Sequence, residues 1–317
     1  MIKILLVVLF LFTNPTNAQQ GANASGGLQE ELITVDLDQD AKQTGLFSIK
    51  SGTKNHSKLA VFIPGYPSVF RPIVENGVMV STKLSGNFLI RSRRHLADES
   101  IAILTIDCQS DSGDVCKSSY QASKERQLHI QKLIDEVKKR YPSIQEVWLI
   151  GTIMGTISSS FMPTYDPKAY AGAIHTAAIT EPVARNSYRE LINFDYKKSG
   201  IPQFFIHHKD DPCYLTTWSG AKSITDQYGI PLITVFGGSN FQGNPCNAFT
   251  EHGFRVKSWK SCRPFAKSFL REPQKIMKLN RLNLATWSFT GHFKCRQDNQ
   301  TLNKGNAQEE PVGSTGV

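Results

Sequence analysis

After residue 12 the sequence has no apolar run approaching the roughly 20 residues that span a bilayer. It has no internal repeat, and no Cys-x-x-Cys or close Cys/His grouping of the kind that holds zinc. Acid is scarce in one place. From His252 to Gln297 there are eleven Lys and Arg but a single acid, Glu272, so that segment alone carries about +10. The whole 317-residue chain has 36 Lys and Arg against 27 Asp and Glu, a formal +9, so the remainder is close to neutral. A uniformly basic nucleic-acid-binding domain is thereby excluded, and any electrostatic partner is confined to the C-terminal surface. With 40% hydrophobic and 20% charged residues the chain is neither wholly disordered nor collagen-like, and it is long enough to bury a sizeable core.

The N-terminus begins with Lys3, continues as an apolar stretch from Ile4 to Phe12, and breaks at Pro15 before the small residue Ala18. That is the pattern of a secretory signal peptide over residues 1–18, with an N-terminal anchor as the weaker alternative because the run is too short. The expected location is secreted or periplasmic, with no transmembrane span in the mature chain. Export makes the cysteines informative. Cys108 and Cys116 are expected to close a short loop, and Cys213 and Cys246 to join two longer ones. Cys262 and Cys295 pair by elimination.

Residues 19–30 read as a flexible N-terminus. Alternating residues over 31–37 and 46–50 predict an antiparallel pair at a sheet edge. Continuous apolar runs at 59–63 and 101–106, and further segments at 146–150, 170–176, 203–207 and 232–236, predict buried strands. Between them, 87–96, 121–140, 155–162 and 216–228 predict helices. Strands alternating with helices give an α/β protein with a mostly parallel central sheet and helices on both faces, over residues 31–255. Ligands of such sheets bind at the C-terminal ends of the strands. Residues 256–297 form the basic segment, and 298–317 read as a disordered tail.

Chemistry concentrates at Trp148-Leu149-Ile150-Gly151-Thr152-Ile153-Met154-Gly155-Thr156. A strand, a Gly-x-x-x-Gly turn and a helix make the frame of a nucleophile elbow, but its centre is Ile153 rather than serine. Ile is β-branched, and an elbow centre has a backbone that such residues tolerate poorly, so the turn is open to relaxation. Ser158, Ser159 and Ser160 lie at least a turn into the helix and read as packing residues. Thr152 and Thr156 flank the centre and point elsewhere. His207 and His208, as strand neighbours, face opposite ways and do not make a metal pair.

The loop Pro64-Gly65-Tyr66, the segments Gly86 to Arg93 and Asp107 to Asp111, the elbow, His207 to Cys213, and Cys246 to Phe254 resemble, in this order, an exported proteobacterial branch of the α/β-hydrolase superfamily. The likeness runs from about Leu59 to Phe254. Relatives normally read Gly-Thr-Ser-x-Gly-Thr at the elbow, so this chain departs at the reacting residue. The resemblance implies an α/β-hydrolase fold and a serine ester or acyl hydrolase ancestry. It makes His252 the general base, Asp211 (preferred to Asp210) its orienting acid, and Ile153 the occupant of the nucleophile seat. Gly65, Tyr66 and Met154 become the backbone donors of an oxyanion hole. No cofactor and no metal is implied. The expected partner is a small ester or acyl substrate; the alternatives are an apolar ligand held without catalysis, or an anionic surface met by the basic segment.

Overall fold

The computed structural model describes residues 26–38, 40–182, 188–238 and 243–254. The expected signal peptide, most of the stretch read as a flexible N-terminus, the basic segment, the expected tail and the expected Cys262–Cys295 pairing lie outside the described residues.

Eight strands form one sheet. In chain order they are β1 (Leu28–Asp36), β2 (Lys42–Lys50), β3 (Lys58–Ile63), β6 (Ile101–Ile106), β7 (Glu146–Ile153), β8 (Gly172–Ala178), β9 (Gln203–His208) and β10 (Leu232–Val235). A separate antiparallel hairpin supplies β4 (Ile73–Glu75) and β5 (Val78–Ser81). The spatial order of the sheet is β1-β2-β6-β3-β7-β8-β9-β10. β1 and β2 are antiparallel at one edge, β2 meets β6 antiparallel, and every pairing from β6 to β10 is parallel.

The apolar run of β3 alternates faces, as strand geometry demands. Leu59, Val61 and Ile63 pack with Ile130, Leu133, Ile134 and Val137 of helix α2 (Lys124–Arg140). Ala60 and Phe62 pack on the opposite face with Leu89 and Leu96 of helix α1 (Phe88–Leu96). A strand buried on both sides must be apolar throughout, which is why its sequence carries no alternation. Two more helices follow, α3 (Gly155–Tyr165) and α4 (Trp218–Tyr228). Side-chain caps fix the starts of α1, α2 and α4: Asn87 accepts from the Leu89 N–H, Ser123 from that of Arg126, and Thr217 from that of Gly220.

β1 begins at Leu28, so the polar stretch read as flexible to residue 30 ends sooner. Glu30 is buried and paired with the buried Arg93, Oε1 to Nε at 2.7 Å, while Ser48 and the Met79 N–H also donate to it. A paired carboxylate inside a strand looks like solvent-facing sequence. The hairpin β4–β5 also goes unannounced, because its strands are three and four residues long. α2 starts at Lys124 after a separate turn of helix at Ser118–Gln121.

Candidate active site

β7 ends at Ile153 and α3 begins two residues later, so the chain reverses through a single sharp corner. Ile153 takes φ +52°, the left-handed region, despite its branched Cβ. The elbow has kept its shape. Holding a β-branched residue there costs on the order of 1–3 kcal/mol. The glycines make the corner possible. A Cβ on Gly151 would sit 2.7 Å from the Gly155 carbonyl oxygen, and one on Gly155 would overlap the backbone carbonyl of Ile63 in β3. Gly155→Ala is therefore expected to cost about 3 kcal/mol or more, because backbone rather than a side chain must yield. Equilibrium denaturation checks this, and a variant as stable as the parent would contradict the packing.

Thr156 braces the corner: its hydroxyl donates to the Ile153 carbonyl at 2.5 Å and accepts from the Ile179 N–H at 3.3 Å. Ser158 donates to Gln121, and Ser159 bonds His175 Nδ1 at 2.9 Å. All three serines at 158–160 are buried in α3 packing. The side chain of Ile153 leans on the loop after β3, since a Cβ added to Gly65 would meet its Cβ and Cδ1 at 2.9 Å. It also packs against an apolar cluster that includes Met154, Ile157, Ile179, Tyr188 and Leu191. Burial, with Tyr66 and Tyr214 nearby, pushes the Tyr188 phenol up to about 12. Among the described residues, no hydrogen bond takes up the backbone N–H of Gly65, Tyr66 or Met154.

β8 separates β7 from β9, and the loop after β9 carries Asp211. Its side chain is fully buried, whereas Asp210 is exposed. Oδ1 of Asp211 accepts from the Cys213 N–H at 2.9 Å. Oδ2 lies 3.2 Å from His252 Nδ1 and accepts from the Thr216 hydroxyl at 2.9 Å. Thr216 Oγ1 is also 2.9 Å from His252 Nδ1. The carboxylate can only accept, so a hydrogen on Nδ1 suits this contact. Nε2 is buried and has no hydrogen-bond partner among the described residues. Leu215, the neighbour of Thr216, packs against the same apolar cluster as Ile153.

Two devices hold His252, which lies in a short turn, Glu251–Gly253. The first is the disulfide Cys213–Cys246, which ties the Asp211 loop to the His252 loop; Cys108 is likewise bonded to Cys116. The second is Arg91 of α1. Its guanidinium donates to the carbonyls of Gly86, Ala248 (3.0 Å) and Gly253, and lies 5.9 Å from the ring centres of both Phe88 and Phe249. Neither Thr216 nor Arg91 stands out in the sequence: Thr216 reads as the start of a helix, and Arg91 as one of several arginines on another.

The two strand histidines diverge. His207 Nε2 accepts from the Ala178 N–H at 2.8 Å, whereas His208 uses Nε2 on the Gly237 carbonyl (2.6 Å) and Nδ1 on the Asp210 N–H. Burial lowers His207 to about 4 against the attraction of Asp211. No group of three or more His, Cys, Asp or Glu among the described residues could hold a metal ion, and no helix there is long and apolar enough to cross a membrane.

No protein-family model matches the chain, and no curated protein does. Solved structures do resemble it. XC6422 of Xanthomonas campestris, described as an α/β serine hydrolase without a lid, has a TM-score of 0.51 at 12% identity, covering 82% of this chain and 97% of that one. The esterase Pf2001 of Pyrococcus furiosus gives 0.52 at 15% identity, with 82% and 96% covered. Est1E of Butyrivibrio proteoclasticus with ferulic acid bound gives 0.52 at 12%, with 76% and 98% covered. The chain has the α/β-hydrolase fold.

Proposed function

We propose that this is an exported protein of serine ester or acyl hydrolase descent whose hydrolytic chemistry is arrested at residue 153. The observation that carries the reading is the pairing of a strained elbow centre, Ile153 at φ +52°, with a buried Asp211–His252 couple whose Nε2 is unpartnered. In the serine mechanism the elbow hydroxyl attacks the acyl carbon, His Nε2 takes its proton, and backbone N–H groups stabilise the oxyanion. In this assignment His252 is the base, Asp211 orients it, and Gly65, Tyr66 and Met154 are the oxyanion donors. Ile153 offers no atom to attack. Export rests on the N-terminal pattern and agrees with the two disulfides, which persist in oxidising compartments.

A second reading, retention of a small apolar ligand without turnover, is favoured by the company Ile153 keeps. Its side chain packs against the apolar cluster of Ile179 and Leu191, and in such sheets ligands bind at the strand ends. The test takes the mature chain with both disulfides formed and supplies p-nitrophenyl acetate and a fluorophosphonate probe. The expected result is ester turnover indistinguishable from that of His252→Ala, and no covalent label. Turnover that disappears in His252→Ala would mean that another residue of this chain serves as nucleophile.

A further inference from the structure

Thr216 is completely buried, and its hydroxyl is directed wholly at the acid–base couple. The loop that carries it is built to put it there. The Asp211 N–H donates to the His208 carbonyl at 3.3 Å, and Cys213 donates back to the Asp211 carboxylate. The Thr216 N–H then donates to the Cys213 carbonyl at 3.1 Å. This turn uses Oδ1 of Asp211 for the backbone and leaves Oδ2 to be shared by Thr216 and His252.

Giving the hydroxyl proton to the carboxylate sets the arrangement. A threonine hydroxyl has a single proton, and at 2.9 Å from Oδ2 it is given to the carboxylate. Its lone pairs are then left facing Nδ1 at 2.9 Å. The Nδ1–H is thereby shared between the Thr216 oxygen and Oδ2. The direct Nδ1–Oδ2 separation of 3.2 Å lies at the long end of the range for N–H···O bonds, so the carboxylate by itself holds the ring loosely. An imidazole with its hydrogen on Nε2 would turn a bare Nδ1 lone pair toward the carboxylate.

We propose that Thr216 is a positioning residue for His252: its hydroxyl bridges Asp211 and the imidazole, fixes the Nδ1–H tautomer, and keeps the Nε2 lone pair available for a proton. The proposal rests on the reading of Asp211 and His252 as the acid and base of the site. The hydroxyl carries the effect, not the bulk of the side chain. Thr216→Val keeps the shape and deletes the oxygen; Thr216→Ser keeps the oxygen and deletes a methyl.

The decisive measurement is a two-bond ¹H–¹⁵N correlation spectrum of the full mature chain labelled at histidine, with His252 assigned by the peak missing in His252→Gln. The parent and Thr216→Ser are expected to show one Nδ1–H tautomer and a visible, slowly exchanging Nδ1 proton. Thr216→Val is expected to show mixed tautomers and to lose that proton signal to solvent exchange. Should Thr216→Val not fold, Thr216→Ala removes the same oxygen without placing a methyl against the carboxylate. A Thr216→Val spectrum identical to the parent overturns the proposal. So does a Thr216→Ser spectrum that behaves like Thr216→Val, since packing would then be responsible. In an Ile153→Ser background, Thr216→Val should lower kcat about tenfold with KM unchanged, and Thr216→Ser should restore it. An inactive Ile153→Ser chain would count against the functional reading alone, because the tautomer result needs no turnover.

Discussion

Ile153→Ser is expected to raise hydrolysis of small activated esters by about 10³-fold to 10⁵-fold over the parent chain. The whole range lies below the roughly 10⁶ by which nucleophile loss lowers kcat in an otherwise intact triad, because the pocket has packed around isoleucine. The lower bound allows for about 1 Å of misplacement, which costs about 10²-fold, with a further loss for a pocket that has packed around isoleucine. Two features put the new hydroxyl in register. The elbow already holds φ +52° at residue 153, so serine inherits the corner and relieves the strain of a branched side chain. The contact of Ile153 Cδ1 against Gly65 also disappears. Removing a half-buried isoleucine costs about 1–2 kcal/mol of apolar burial, partly offset by that relief. The control is Ile153→Ser with His252→Ala, which should fall back to the parent rate. A folded Ile153→Ser chain with no gain would show that more than one atom of the machinery has been lost, and would favour the ligand-binding reading.

How far the sequence speaks depends on how local the determinant is. The run Leu59 to Ile63 announces a strand buried on both faces because burial on both faces requires nothing but apolar residues. Gly151 and Gly155 announce the elbow because only hydrogen fits where backbone meets backbone. The pairing of Asp211 with His252 is legible for a related reason: each follows a strand, and a parallel sheet gathers such ends on one side. Thr216 and Arg91 are different. Their importance comes from partners 36 and 162 positions away, and nothing nearby marks them. Glu30 is hidden in the same way, since its value as a buried ion depends on Arg93 at a separation of 63. Long-range polar pairing leaves no periodicity to read.

Acid should destabilise this protein before its carboxylates are titrated. His175 and His207 are both buried and both lowered from 6.5 to about 4, chiefly by burial. Each is bonded in its neutral form. Gln203 spends its amide hydrogens on the Tyr196 carbonyl and Ser199, so its oxygen accepts from His175 Nε2 at 3.1 Å and leaves Nδ1 to accept from Ser159. His207 Nε2 accepts from the Ala178 N–H, and a proton there would set two N–H groups face to face. Above pH 6.5 both rings are neutral, folded or unfolded, and neither makes stability depend on pH. As pH falls below 6.5 the unfolded chain binds protons that the folded chain refuses. Each histidine then lowers the unfolding free energy by about 1.4 kcal/mol per pH unit, reaching about 3 kcal/mol near pH 4. Together they remove a large part of the 5–15 kcal/mol typical of a folded domain. Glu30, held below the usual carboxylate range by Arg93 and its other donors against the cost of burial, adds a further loss only at still lower pH. Urea denaturation with disulfides intact, run at pH 7.5, 6.0 and 5.0, should show the unfolding free energy nearly flat to 6.5 and falling steeply beyond it. His207→Gln, whose side-chain oxygen can still accept from Ala178, should reduce that slope, the remainder coming from His175 and from His56 and His129, which burial also lowers. Equal stability at pH 7.5 and 5.0 would mean that the two rings take up protons in place.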